Sequence, residues 1–231
     1  MWKSPKLRLW DPNRVGTLIL GNIRFGTHFL AKRVVEEVGK QCYNHGEFLN
    51  YAWNDVVVDQ MKSLEHEPKY HVMTINNLPS KMALKKAPEV LDKWHVIRIN
   101  HSDKVRWFIS WYFYFHSESS EFFQKQSTIL HNSTPRQAYL DYLSKSPVNL
   151  DDKIIELACA NLGMQLINYH IPVDEEIDYT QLKKIAHDRV PWLENNYPSD
   201  LLSVMFSNSE HLESILKNWS HTIKGKFKEN A

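Results

Sequence analysis

Three short apolar runs, each followed at once by a helical pattern, limit this chain more than any other feature of its sequence. They are Thr17–Gly21 (TLILG), Tyr70–Ile75 (YHVMTI) and His95–Ile99 (HVIRI). After the first, Phe29, Leu30, Val34 and Val38 recur at helical spacing and Gly39 marks a stop. After the second comes PSKMALKKAPEVLDKW, with Pro79 suited to a first helical turn. After the third, Ser102 is placed to cap a helix over DKVRWFISWYFYF. Parallel strands need a crossover connection, and a helix is the usual one. The alternation therefore predicts the α/β class, with a central parallel sheet and helices on both faces.

The second half reads as mostly helical. TPRQAYLDYLSK and LDDKIIELACANLGMQLINY, between Thr134 and Tyr169, carry helical patterns. HIPVDEEIDY is expected to add an edge or final parallel strand, and NSEHLESILKNWSHTI to form a closing helix capped near Asn208 or Ser209. The polar stretch His116–Ser133, with embedded aromatics, reads as a lid over the carboxyl edge of the sheet or as a surface excursion. No internal repeat or low-complexity linker divides the chain, so a single domain over 1–231 is expected.

Composition removes several classes of function. Lys plus Arg is 28 and Asp plus Glu 27, a formal net charge of +1, so the totals give no sign of a nucleic-acid scaffold or polybasic membrane binder. Any anion site must be local. Cys42 and Cys159 stand far apart in no metal-ligand spacing, against both a disulfide framework and a zinc site. The longest apolar run, WFISWYFYF, is too short to span a bilayer. MWKSPKLRLWDPNR lacks the apolar centre of a signal peptide, so a cytoplasmic protein is expected. The eight tryptophans and ten tyrosines read first as core and interface, and aromatic surface suits a homodimer contact or a substrate groove equally well.

Of only seven glycines, three (Gly16, Gly21 and Gly26) fall around the first run. Strand, glycine-bounded turn and helix together aim the backbone N–H groups of a helix N-terminus at an anion. In GNIRFGTHF, Gly26 would let the chain approach a ligand, Thr27 and His28 would present first-turn amides, and Arg24 adds a cationic fork for phosphate or sulfate oxygens. A plain structural turn is the other reading. Neither G-x-x-x-x-G-K-[ST] nor G-x-G-x-x-G is present.

GNIRFGTHFL resembles the 5′-phosphosulfate loop of the sulfotransferases, G-x-P-[RK]-S-G-T-[TS]-x-L, through Gly21, Arg24, Gly26, Thr27 and Leu30. Ile23 stands for the usual proline, Phe25 for serine and His28 for the second hydroxyl residue. The resemblance implies a P-loop-like sulfotransferase architecture in which Arg24 and the amides of Phe25, Gly26, Thr27 and His28 grip the 5′-phosphosulfate of PAPS (3′-phosphoadenosine 5′-phosphosulfate), with no metal. VIRINHSDKVRWFISWYFYF is similar to the family's 3′-phosphate segment, which implies that Arg98, leaving its strand, and Ser110, in the following helix, hold that phosphate. These two are twelve residues apart where the family commonly has eight, and Arg106, one helical turn before Ser110, is the alternative ligand. IDYTQL resembles the family's hydrophobic–Tyr–Glu–x–Leu segment with Thr180 for the glutamate, and IKGKF its closing basic segment.

Sulfuryl transfer to a hydroxyl of a carbohydrate or small metabolite needs a base for the acceptor proton. Glu47 in CYNHGEFLNY is the candidate, expected in a glycine-marked loop after the first helix and near the strand ends, with a solvated loop acid or helix cap as the plain reading. His45 and His28 are rivals. Asp55 and Asp59 read as a solvated helix face. Two other readings stay open: a small-molecule kinase, which would want a lysine where His28 stands, and a catalytically inactive nucleotide-binding or assembly module.

Overall fold

The computed structural model describes residues 7–22, 25–47, 55–75, 88–116, 147–168, 171–179, 181–182 and 201–228. Five strands form one sheet: β1 (Gly16–Leu20), β2 (Cys42–Glu47), β3 (Tyr70–Ile75), β4 (Trp94–Asn100) and β5 (Glu175–Asp178). Their order is β2-β3-β1-β4-β5 and every pairing is parallel, which establishes the α/β class. The central strands β1 and β3 are buried along their whole length, as a parallel sheet covered on both faces requires. The register aligns Leu18 with Met73 and Val96, and Leu20 with Ile75 and Arg98.

Alternation along the strands splits these residues between two faces. Leu18, Leu20, Met73, Ile75 and Val96 share one face with Val58, Met61 and Leu64 of α2 (Asp55–Leu64) and Val90 and Leu91 of α3 (Pro88–Leu91). Helix α1 (Thr27–Val38) buries Thr27, Leu30, Ala31 and Val34, and none of these belongs to that cluster. The right-handed crossover rule places α1 on the opposite face, because β1 to β2 runs across the sheet in the opposite direction to β2–β3 and β3–β4. Helix α1 ends at Gly39, whose N–H bonds to Val35 O at 2.8 Å.

Several expectations are corrected here. The stretch CYNHGE is not a loop after the first helix but the edge strand β2, with a register shift between Asn44 and Glu47. Ser102 does not cap the next helix, α4 (Lys104–His116). Its N–H and hydroxyl both bond Asp178, and the Asp103 carboxylate accepts from Arg106 N at 2.9 Å instead. A one-residue shift along the chain gives the cap to the acid, whose side chain accepts from the third residue of the helix, while the Ser102 hydroxyl is already engaged by Asp178. HIPVDEEIDY does supply the last parallel strand, β5. The lid segment 117–133, the pattern TPRQAYLDYLSK and Pro79 lie outside the described residues.

The chain divides into two compact units, Met1–Ser102 with Met164–Leu182, and Asp103–Gly163 with Lys183–Ala231. The first holds the sheet and α1 to α3. The described part of the second is mostly helical: α4, most of α5 (Asp152–Asn168), α6 (Leu201–Met205) and α7 (Ser209–Lys228). Its core is aromatic, with Tyr112 edge-on to Phe206 at 4.9 Å and Phe108 at 5.9 Å from the same ring. Asn208 begins α7 by accepting Leu212 N, while its side-chain amide makes reciprocal bonds with the backbone of Leu150. No described helix is long and apolar enough to cross a membrane.

Leu18 is fully buried at the centre of the sheet, so Leu18→Ala should lower stability by about 2–5 kcal/mol. Val56→Ala, at a site 63% exposed, should stay within about 0.5 kcal/mol. Urea midpoints of the two variants against the parent chain check the pair.

Candidate functional site

After β1 the chain moves toward β2, and after β4 toward β5, on opposite sides of the sheet. Where adjacent parallel strands send their connections apart, a crevice opens outside their carboxyl ends. Here that position is flanked by the turn from β1 into α1 and by Asn100 at the end of β4 with His101 and Ser102 after it.

The turn is held from within. Gly21 N–H bonds Ile75 O at 3.2 Å, and Phe25 N–H bonds Asn22 O at 3.0 Å. A Cβ on Gly21 would lie 2.5 Å from Thr27 Cγ2, so the missing side chain is what lets Thr27 fold back over the end of β1. Gly26 follows at φ +86°, in the left-handed region, and its carbonyl accepts the first helical bond, from Leu30 N at 3.0 Å. The first-turn N–H groups of any α-helix lack partners inside the helix and carry its positive dipole end. Those of α1 begin at Thr27, at the carboxyl end of the central strand.

The residues expected to form the site distribute unevenly. Gly26, Thr27 and His28 open α1 together; Thr27 is buried and His28 exposed. Phe25 departs from expectation: its amide is engaged by Asn22 O and its ring is fully buried, so it anchors the turn rather than offering an N–H to a ligand. Gly26 also differs in its reason. The side left open by its missing Cβ is closed by Leu182 Cδ1 at 2.9 Å and Tyr179 Cε2 at 3.4 Å, so backbone geometry and packing, not the approach of a ligand on that side, require glycine there. Arg24 and Ile23 lie outside the described residues.

Arg98 does not leave its strand. It lies inside β4, aligned with Leu20 and Glu176, on the face that carries α2 and α3. Its guanidinium donates to Ile171 O at 2.6 Å and stands 3.8 Å from Glu176. A buried cation must be paired; β5 supplies the Glu176 carboxylate, and Ile171, in the segment before it, supplies the carbonyl. Ser110 falls in α4, within the helical unit, and Arg106 lies 3.8 Å from the Asp103 carboxylate that caps the same helix. Glu47 ends β2 opposite Thr74, at the carboxyl edge but two strand spacings from β1, about 10 Å.

Two residues with no assigned part in the sequence reading stand at the crevice. Asn22 and His101 are polar and almost wholly buried, and the His101 ring stacks on Tyr179. A histidine directly after a buried strand is the signal that would have pointed to it. On β2, His45 Nε2 faces His71 Nδ1 at 3.0 Å, one ring donating to the other, and His71 Nε2 lies 3.9 Å from Glu67. Burial lowers both pKa values below the usual histidine range; the charge of His71 lowers that of His45 further, Lys69 does the same for His71, and Glu67 opposes this at both. Burial also pushes the Cys42 thiol up to about 11, which keeps it protonated and unreactive at neutral pH. Among the described residues no three His, Cys, Asp or Glu side chains gather as a metal site.

Compared with known proteins, the chain matches no protein-family description, no curated protein and no solved structure.

Two outcomes follow from this geometry. Gly26→Ala should destabilise by about 1–2 kcal/mol from the left-handed backbone alone, before the contact with Leu182, as read by chemical denaturation. The histidine pair has native pKa values below its unfolded value of 6.5, so its contribution is present above that pH and is lost as pH falls toward the lowered native values. The urea midpoint should therefore drop between pH 7.5 and 5.5, and drop less in His45→Gln.

Proposed function

We propose that the chain is a sulfotransferase of P-loop-like architecture that moves a sulfuryl group from PAPS to a hydroxyl on a carbohydrate or small metabolite. The observation that carries the reading is the location of GNIRFGTHFL. The one segment that resembles a phosphosulfate loop leaves the carboxyl end of the central strand and enters α1 through a left-handed glycine. A helix N-terminus in that position favours a bound anion through its dipole and its first-turn amides. The ligand set for the 5′ group is then the first turn of α1 and the Arg24 guanidinium.

The reaction is an in-line displacement in which an acceptor oxygen bonds sulfur as the bond from sulfur to the 5′-phosphate oxygen breaks. Charge builds on the departing phosphate, and by analogy with phosphoryl transfer the protein's main tasks are alignment and stabilisation of that charge. Arg24 and the amides of Thr27 and His28 are placed in sequence for the second task. The acceptor proton goes to a base, for which Glu47 is the proposed residue, at the carboxyl edge of β2.

A catalytically inactive module of this fold, serving in nucleotide binding or assembly, is the second reading. The use of Arg98 within the β4–β5 pair and of the Phe25 amide within its own turn favours it, because each removes an expected ligand from the substrate.

Thermal unfolding with PAP (3′-phosphoadenosine 5′-phosphate), and with ATP plus magnesium or ADP as controls, tests the proposal. A ligand bound only by the native state adds about 2.7 kcal/mol at a hundredfold excess over its dissociation constant. The expected result is stabilisation by PAP alone, lost in Arg24→Ala with the circular dichroism unchanged. Stabilisation by ATP and magnesium in its place would favour a kinase, and no shift with any of these nucleotides would remove the nucleotide reading. PAP binding without sulfuryl transfer to any tested acceptor would favour the binding module.

A further inference from the structure

The turn that opens α1 is seated by residues far from it in sequence. Phe25 buries its ring completely, 5.6 Å between centroids from the ring of His101. His101 in turn stacks on Tyr179, with 4.2 Å between centroids and 14° between planes. Tyr179 and Leu182 then close over Gly26. The stack is fixed in register by its neighbours: Asp178, just before Tyr179, accepts from both N–H and Oγ of Ser102, just after His101, at 2.9 and 3.0 Å. Gln181 Oε1 accepts Asp178 N–H at 2.8 Å, which ties the end of β5 to the residue just before Leu182.

The carboxyl ends of β4 and β5 therefore hold the two residues that immediately precede α1. A strand end alone leaves the following turn free to swing. Here the Phe25 ring and the Gly26 backbone are each held against the same aromatic pair, which sets the direction of the first turn. The phenylalanine where the resembling loops have serine gives the clasp its hold, since a small hydroxyl side chain would not reach His101.

On the reading of this turn as the phosphosulfate site, we propose that Tyr179, backed by His101, is a positioning residue for that site. It touches no substrate. It holds Phe25 and Gly26 so that the α1 amides point at the bound anion, and affinity for the nucleotide depends on a residue at the end of β5.

Two readouts on the full chain test this, one without ligand. The Leu30 amide closes the first turn on Gly26 O, and its hydrogen exchange reports opening of that turn. Tyr179→Leu should speed Leu30 exchange and weaken PAP binding, each about three- to tenfold, the range an aromatic pair contributes. Exchange at Ile19 in β1 should stay unchanged, and Tyr179→Phe, which keeps the ring, should behave as the parent in both readouts. If Tyr179→Leu does not fold, His101→Ala is read in the same way from the other half of the stack. PAP binding by the parent chain with both readouts unmoved in the variant overturns the clasp alone. No PAP binding by the parent, with Leu30 exchange still answering to the substitution, overturns the nucleotide reading and with it the positioning role, leaving a fold contact only.

Discussion

The backbone at Gly26 stands at φ +86°, a conformation that costs a residue with a side chain about 1–2 kcal/mol, and the direction of α1 follows from it. The parallel sheet brings all its strand ends to one edge, so whatever turns out of the central strand there faces the crevice between β1 and β4. Gly21 lets Thr27 fold back over that strand end, Phe25 sinks its ring below the turn, and Gly26 swings the chain into the helix. A positive helix terminus at the carboxyl edge results from those three steps in succession. The rest of the sheet unit serves to make them permanent: α1 buries Leu30, Ala31 and Val34, and the strand ends of β4 and β5 pack against the turn itself.

Charge is handled in a way that separates structure from chemistry. Arg98 sits in a strand buried on both sides, where an uncompensated guanidinium would be very unfavourable. Its pairing with Glu176 and Ile171 O makes it part of the β4–β5 junction, and Asn100 adds a further bond to Glu176. Asp178 performs the parallel task two residues later by holding Ser102. The polar residues along this edge therefore order the strand ends, and the proposed anion site rests on the α1 terminus and on Arg24 alone.

Much of the fold was legible because its strands carry compact apolar runs and its helices carry periodic ones. TLILG, YHVMTI and HVIRI became β1, β3 and β4, and EEID became β5. The strand β2 was hidden because CYNHGE has neither alternation nor β-branched residues; it is a strand through its pairing with β3, a tertiary fact. The cap of α4 was misread by one residue, since nothing local says that Asp178 takes Ser102. At the site, the glycine-bounded turn and its helix were visible in the sequence. The roles of Phe25, His101 and Tyr179 were not, because they meet only through contacts spanning more than seventy residues. Arg98 was misplaced for a related reason: an arginine near the end of a strand reads as solvent-facing until its register with Glu176 is known.

The central claim is that an anionic nucleotide binds at the first turn of α1. A titration of isotope-labelled protein with PAP, followed by amide chemical shifts, addresses it most directly. The account predicts that the largest shifts fall on the amides of Thr27, His28 and Phe29, with those at the amino ends of β1 and β4 unmoved. Binding that leaves the first turn of α1 unshifted and perturbs another surface would contradict it.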